Sequence, residues 1–174
     1  MRKLAVVALA LFTLSVFAQQ PRVAAHNPQF DALKTLAGDW SSMQPDCSIG
    51  KGSSKYRVVS DSSAIILEMN SPGVDENMIT MFHPDGQRTV ATHYCSMGNQ
   101  PRMVADASSD IKRIPFKFKD ITNDDGKSGS MRDLTIVLLD KDHHDQIWTW
   151  QDAKGHQETE TFHLVRANAP GQGK

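Results

Sequence analysis

From residue 38 onward, short runs of alternating apolar and polar residues are interrupted at close intervals by glycine, proline, asparagine and aspartate. That pattern predicts antiparallel strands joined by tight turns. The expected strands, ten in all, lie near residues 38–44, 54–60, 63–70, 77–83, 88–95, 101–107, 114–120, 132–140, 145–151 and 157–166. The clearest is Ile114-Pro115-Phe116-Lys117-Phe118-Lys119, where large apolar residues and lysines alternate with period two and so face opposite sides of a sheet. Pro84-Asp85-Gly86-Gln87 and Asp152-Ala153-Lys154-Gly155 are hairpin turns, and residues 123–130 form a longer polar loop. One short helix precedes the strands. Asn27-Pro28 starts it, Phe30, Leu33, Leu36 and Ala37 recur at helical spacing, and Gly38 ends it. With no second convincing helix to carry crossovers, the pattern predicts an all-β antiparallel barrel of about ten strands with a short N-terminal helix.

The N-terminus follows another rule. Arg2 and Lys3 precede an apolar run from Leu4 to Phe17, and small residues end at Ala18. This is the pattern of a secretory signal peptide over residues 1–18, too short to span a bilayer as a helix. The expected organisation is then a flexible lead-in over 19–27, a barrel domain over 28–168 and a disordered tail over 169–174. The address is exported, in a periplasm or the medium, with no membrane span after cleavage and a monomeric or small homo-oligomeric state. Without Arg2 and Lys3, 17 basic residues stand against 20 acidic ones, which argues against nucleic acid as a partner. Export changes the reading of the only two cysteines: a Cys47–Cys95 disulfide is the expectation, and two free thiols are the alternative.

Leu33-Lys34-Thr35-Leu36-Ala37-Gly38-Asp39-Trp40, a short helix running into Gly-x-Trp at the first strand, resembles the calycin superfamily of lipocalin-like barrels. The chain is also similar to uncharacterised exported bacterial proteins of that fold. That similarity rests on Met81-Phe82-His83, Thr92 to Cys95, Gly98 to Met103 and Phe162-His163-Leu164-Val165-Arg166. The resemblance implies that Trp40 closes one end of the barrel beneath the helix and that Arg166 packs on it. Some haem-binding barrels related to this fold, of the nitrobindin type, use one histidine as axial ligand, which makes His163 the residue to test for haem.

The densest polar stretch runs from Thr92 to Arg102. As a recognition set for a ligand with a polar head it supplies His93, Tyr94, Asn99, Gln100 and Arg102; as plain loop chemistry the same residues satisfy turns and neighbouring backbone. On strand alternation His93 and Cys95 share one face and Thr92 and Tyr94 the other. Trp148 and Trp150 share a face of strand nine and could stack a ligand or cover the barrel rim. Phe82, Phe116, Phe118 and Trp148 are the expected apolar lining. A thiolate at Cys95 activated by His93 would be a hydrolase-like alternative, but no oxyanion donor can be named, so no catalytic residue is assigned. Glu158 and Glu160 on one face read as solvated carboxylates. The run of Asp140, Asp142, His143, His144 and Asp145 reads as a solvated turn rather than a metal site, because adjacent residues cannot all converge on one ion. The expected function is therefore binding of a small, partly apolar molecule in the barrel. A filled barrel with a structural role in the envelope is the other alternative.

Overall fold

The computed structural model describes residues 26–70, 77–108 and 110–167. The expected signal peptide, most of the lead-in and the tail lie outside the described residues. Helix α1 (Pro28–Lys34) leads into β1 (Gly38–Met43), β2 (Ile49–Val59), β3 (Ala64–Asn70), β4 (Asn77–Asp85) and β5 (Arg88–Tyr94). Then come β6 (Gln100–Ala105), β7 (Arg113–Thr122), β8 (Ser130–Leu138), β9 (His143–Gln151) and β10 (Gln157–Arg166). Each strand pairs antiparallel with its sequence neighbour, and β1 pairs with β10 to close a ten-stranded barrel. This is the all-β architecture the alternation predicts, and it fits a lipocalin-like fold. Among the described residues no helix is long and apolar enough to cross a membrane.

The helix closes one end. Asn27 Oδ1 accepts the Phe30 N–H at 3.0 Å, so the residue before Pro28 caps α1, and its Nδ2 donates to the Arg88 carbonyl at 2.9 Å. That second bond ties the helix start to the β4–β5 turn, where Gly86 adopts φ 63°. Phe30, Ala32 and Leu33 are buried against the barrel. Trp40 on β1 donates its indole N–H to the Leu36 carbonyl at 2.7 Å. The Arg166 guanidinium lies 4.2 Å from the Trp40 ring centroid and donates to the carbonyls of Thr35 and Ala37 at 3.0 and 2.9 Å. A side chain at Gly38 (φ 131°) would meet Arg166 Nη1 at 2.9 Å, so this glycine is required both by its backbone and by the arginine beside it.

The half of the lumen nearest the helix is filled. Ile65, Leu67, Phe82, Met103, Ile114, Phe116, Leu134 and Ile136 each have no exposed surface, and the rings of Phe82 and Phe116 meet at 5.4 Å. At roughly 1.5–3 kcal/mol for each large apolar side chain removed from water, this cluster is the main favourable term of the fold.

Toward the opposite, open end the ladders lose regularity. β1 slips against β2 between Ser41 and Met43, β7 carries Lys119 as an extra residue against β6, and β8 carries Arg132 as an extra residue against β9. β2 itself begins at Ile49, ahead of the expected residue 54, because β1 pairs with its glycine-rich start at Met43 and Ile49 before β3 joins the ladder at Ser53. The cysteines are corrected here. The expected Cys47–Cys95 disulfide is not formed; both cysteines are free, Cys47 exposed in the β1–β2 loop and Cys95 just past β5. Both loops rise from the open end but from strands three apart, about 14 Å along the wall. A disulfide spans at most roughly 7 Å between Cα atoms.

Candidate functional site

Strand β9 carries the inward-facing polar groups. Its even-numbered residues His144, Gln146 and Trp148 are buried, and Trp150 continues the same face to the open end. Trp148 can only donate, and its indole N–H reaches Gln146 Oε1 at 3.1 Å. Gln146 Nε2 therefore donates to Tyr56 Oη at 2.9 Å, and Tyr56 in turn gives its proton to His144 Nε2 at 3.2 Å. The chain of bonds runs in one direction, from the open half to the closed end, and assigns the His144 proton to Nδ1. His144 then meets the Trp40 ring nearly perpendicularly at 4.2 Å. Burial, followed by the positive charge of Arg166, pushes the His144 pKa down to about 3, and burial pushes the Tyr56 phenol upward.

His93 on β5 faces the lumen with no exposed surface. Thr80 Oγ1 lies 2.9 Å from its Nδ1, its Nε2 has no partner, and its ring packs on Trp148 at 5.0 Å. Burial pushes its pKa down to about 4, so the ring is neutral at physiological pH. Together His93 and Trp148 form a floor across the lumen.

Above that floor the site opens. Phe118 and Trp150 are half-buried one inward step beyond Phe116 and Trp148. Arg132, the extra residue of β8, lays its guanidinium 4.1 Å from the Phe118 ring centroid. On β10, Glu158 pairs with Trp150 and Glu160 with Trp148, so both glutamates share the inward face, yet both stand in solvent. The rim is held by Asn99, whose Nδ2 donates to the Gly129 carbonyl at 2.8 Å and joins the β5–β6 loop to the β7–β8 loop. Gly129 (φ 71°) lies directly against Trp150, where any Cβ would come within 2.5 Å of the indole.

The structure thus separates the residues singled out in the sequence. His93, Trp148 and Trp150 converge at the open end. Asn99 sits at its rim as a buried latch. Tyr94 is exposed next to inward-facing His93, and Gln100 bonds Gly98 and Thr122 along the loop. Arg102 lies on the outer wall with its guanidinium forked onto Asp120, away from the lumen. His93 bonds Thr80 rather than the Cys95 thiol, which leaves the thiolate alternative without its base. His163 is also on the outer wall, its Nδ1 2.8 Å from Asp145, and so does not fit the axial role in the lumen that a haem would require. Phe82 and Phe116, expected to line a ligand cavity, are packed against each other in the filled half; Phe118 and Trp148 belong to the open half. Arg132, Tyr56, Thr80, His144 and Gln146 were not legible as site residues. The even-numbered alternation from His144 to Trp150 is the signal for two of them; the bulge hides Arg132 from any count of two.

Two surface depressions, about 260 and 320 Å³, lie outside the lumen against the β6–β7 loop. The first of them lies beside the helix, lined by Asn27, Pro28 and Gln29.

No family model and no curated protein matches the chain. Among solved structures it is similar to Rv2717c from M. tuberculosis, with 10% identity, a TM-score of 0.56, and coverage of 81% of this chain and 98% of that one. At that identity the likeness shows the fold alone: this chain is a closed antiparallel β-barrel of the same general architecture.

Proposed function

We propose that the protein is an exported barrel that holds a small, partly apolar molecule at its open end. The observation that carries this reading is the concentration of irregularity there. All three register breaks fall toward one end, and in the same region half-buried aromatic faces lie above a buried histidine with a free Nε2. Bulges of this kind re-aim side chains and are common beside binding sites. An apolar surface with a few fixed polar groups is the usual chemistry of a ligand pocket. Phe118 and Trp150 supply the apolar faces; beneath them, buried Trp148 and neutral His93, held by Thr80 with its Nε2 unpartnered, form the polar-apolar base of the site. The resemblance of Leu33 to Trp40 to calycin barrels and the signal-peptide pattern over residues 1–18 are sequence expectations in keeping with this reading.

The filled half of the lumen favours a second reading, a structural or interaction protein whose barrel holds only its own side chains. Native mass spectrometry of the protein purified from its exported compartment separates the two. The binder predicts a mature chain beginning at Gln19 with a co-purified mass of about 150–1,000 Da, the range such pockets take. A bare mass, with tryptophan fluorescence indifferent to small aromatic and aliphatic ligands, overturns it in favour of the filled barrel.

A further inference from the structure

We infer that the ligand of the open end is a flat aromatic monoanion, a ring bearing one carboxylate, with Arg132 as its counter-ion. This rests on the reading of the open end as a binding site and adds the ligand's charge and shape.

The argument begins with what the other arginines do. Arg57, Arg88 and Arg102 each pair with a carboxylate, and Arg166 is satisfied by three carbonyls. Arg113 stands in solvent. Arg132 differs from all of these. It is half-buried, its Nε is fully covered without a hydrogen-bond partner, and among the described residues it makes no ion pair. A guanidinium taken partly out of water without an anion is an unfavourable arrangement unless an anion arrives from outside.

The bulge explains the placement. Met131 and Asp133 pair with Trp150 and Thr149, so Arg132 is the residue left over. Its neighbour Asp133 points outward to Lys117, while Arg132 turns onto Phe118. On the adjoining strand the extra residue is Lys119, next to Phe118 itself. Two neighbouring strands thus break register on either side of one cation–aromatic pair.

Shape and charge number follow from the surroundings. Stacking on Phe118 fixes the guanidinium plane, whose free edge offers parallel N–H donors suited to a carboxylate. Trp150, half-buried above buried Trp148, presents a further ring face in the same mouth, which favours a planar body. Glu158 and Glu160 share the mouth on the far side of Trp150 and repel excess negative charge, which selects one charge over a phosphate dianion. His93 is neutral and leaves the charge balance unaltered.

The test is a matched pair of probes, 2-naphthoic acid and 2-naphthamide, titrated into the purified protein by calorimetry and tryptophan fluorescence. The acid is expected to bind at least tenfold more tightly than the amide. Arg132→Met abolishes that preference, so that acid and amide bind alike; Arg132→Lys keeps part of it, and it serves as the charge test if the methionine variant does not fold. Phe118→Leu weakens both probes. Equal binding of acid and amide to the unaltered protein overturns the anionic ligand and leaves open-end binding standing, as does an acid preference that survives Arg132→Met for the role of Arg132. If neither probe binds, both readings fall together.

Discussion

Each end of the barrel stacks an arginine on an aromatic ring, but only at the closed end does that arginine find main-chain acceptors. Arg166 stacks on Trp40 and donates to main-chain carbonyls of the helix turn, and the Trp40 indole N–H does the same. Arg132 also stacks on an aromatic ring, yet it meets no carbonyl and no carboxylate among the described residues. The same residue pairing thus stands in two settings: beside the helix turn the arginine is satisfied by main-chain carbonyls, whereas above Phe118 its Nε is left without an acceptor.

The comparison is sharpened most by acid, because each half contains one buried histidine. His93 and His144 have folded pKa values near 4 and 3, below the ordinary 6.5, since burial disfavours the charged ring. Their folded pKa values being depressed, the fold has its full stability above about pH 6.5. As pH falls from there toward 4, the unfolded chain takes up protons that the folded barrel refuses, and stability is lost. At about 1.4 kcal/mol per pK unit, the loss by pH 4 is roughly 3 kcal/mol for each histidine. Urea unfolding at pH 7, 5.5 and 4 measures it. His93→Gln and His144→Gln each remove about half of the slope, and a flat profile would show that neither ring is neutral and buried as described.

Trp40→Ala comes next. It removes a core indole, its bond to Leu36 and the seat of Arg166, and should cost about 3–5 kcal/mol. Trp150→Ala, at the half-buried rim, should cost no more than about 1 kcal/mol while weakening probe binding. Equal costs in chemical denaturation would erase the distinction between the two ends. Tyr56→Phe deletes the hydroxyl that links Gln146 to His144, leaving a buried amide donor and a buried ring nitrogen with poor or no partners; a loss of about 1–3 kcal/mol is expected from the shift in midpoint. Arg102→Ala should have the smallest effect. The Arg102–Asp120 pair is exposed on the outer wall and screened by solvent, so its removal should leave the unfolding midpoint nearly unmoved and probe affinity alone. A marked loss of binding in this variant would relocate the site to the outer surface.

Legibility followed the same division. The alternation of Ile114 to Lys119 predicts which side chains fill the lumen, and Ile114 and Phe116 are indeed fully buried while Lys117 faces solvent. The helix start at Asn27-Pro28 and the hairpin at Gly86 were readable because caps and turns depend on local backbone chemistry. The site was only partly readable. His93, Trp148 and Trp150 could be named, but Arg102 was grouped with them by nearness in sequence, although it lies on the opposite face of the wall from His93. The sequence places His144 in a solvated turn, because the charged residues before it mask the start of β9.

The sequence by itself determined the secondary structure and its hand-to-hand order: ten short strands, their turns and the capping helix, all set by patterns within about a dozen residues. Only the tertiary structure decided which residues meet. Closure of β1 on β10 brings Trp40 to Arg166, and curvature of the wall brings His93 across the lumen to Trp148. Single extra residues in β7 and β8 border Phe118 and turn Arg132 onto it. The reason is physical: alternation carries a side chain's face along a strand, but one inserted residue reverses that parity, and contacts across a barrel depend on register between strands that the local pattern does not encode.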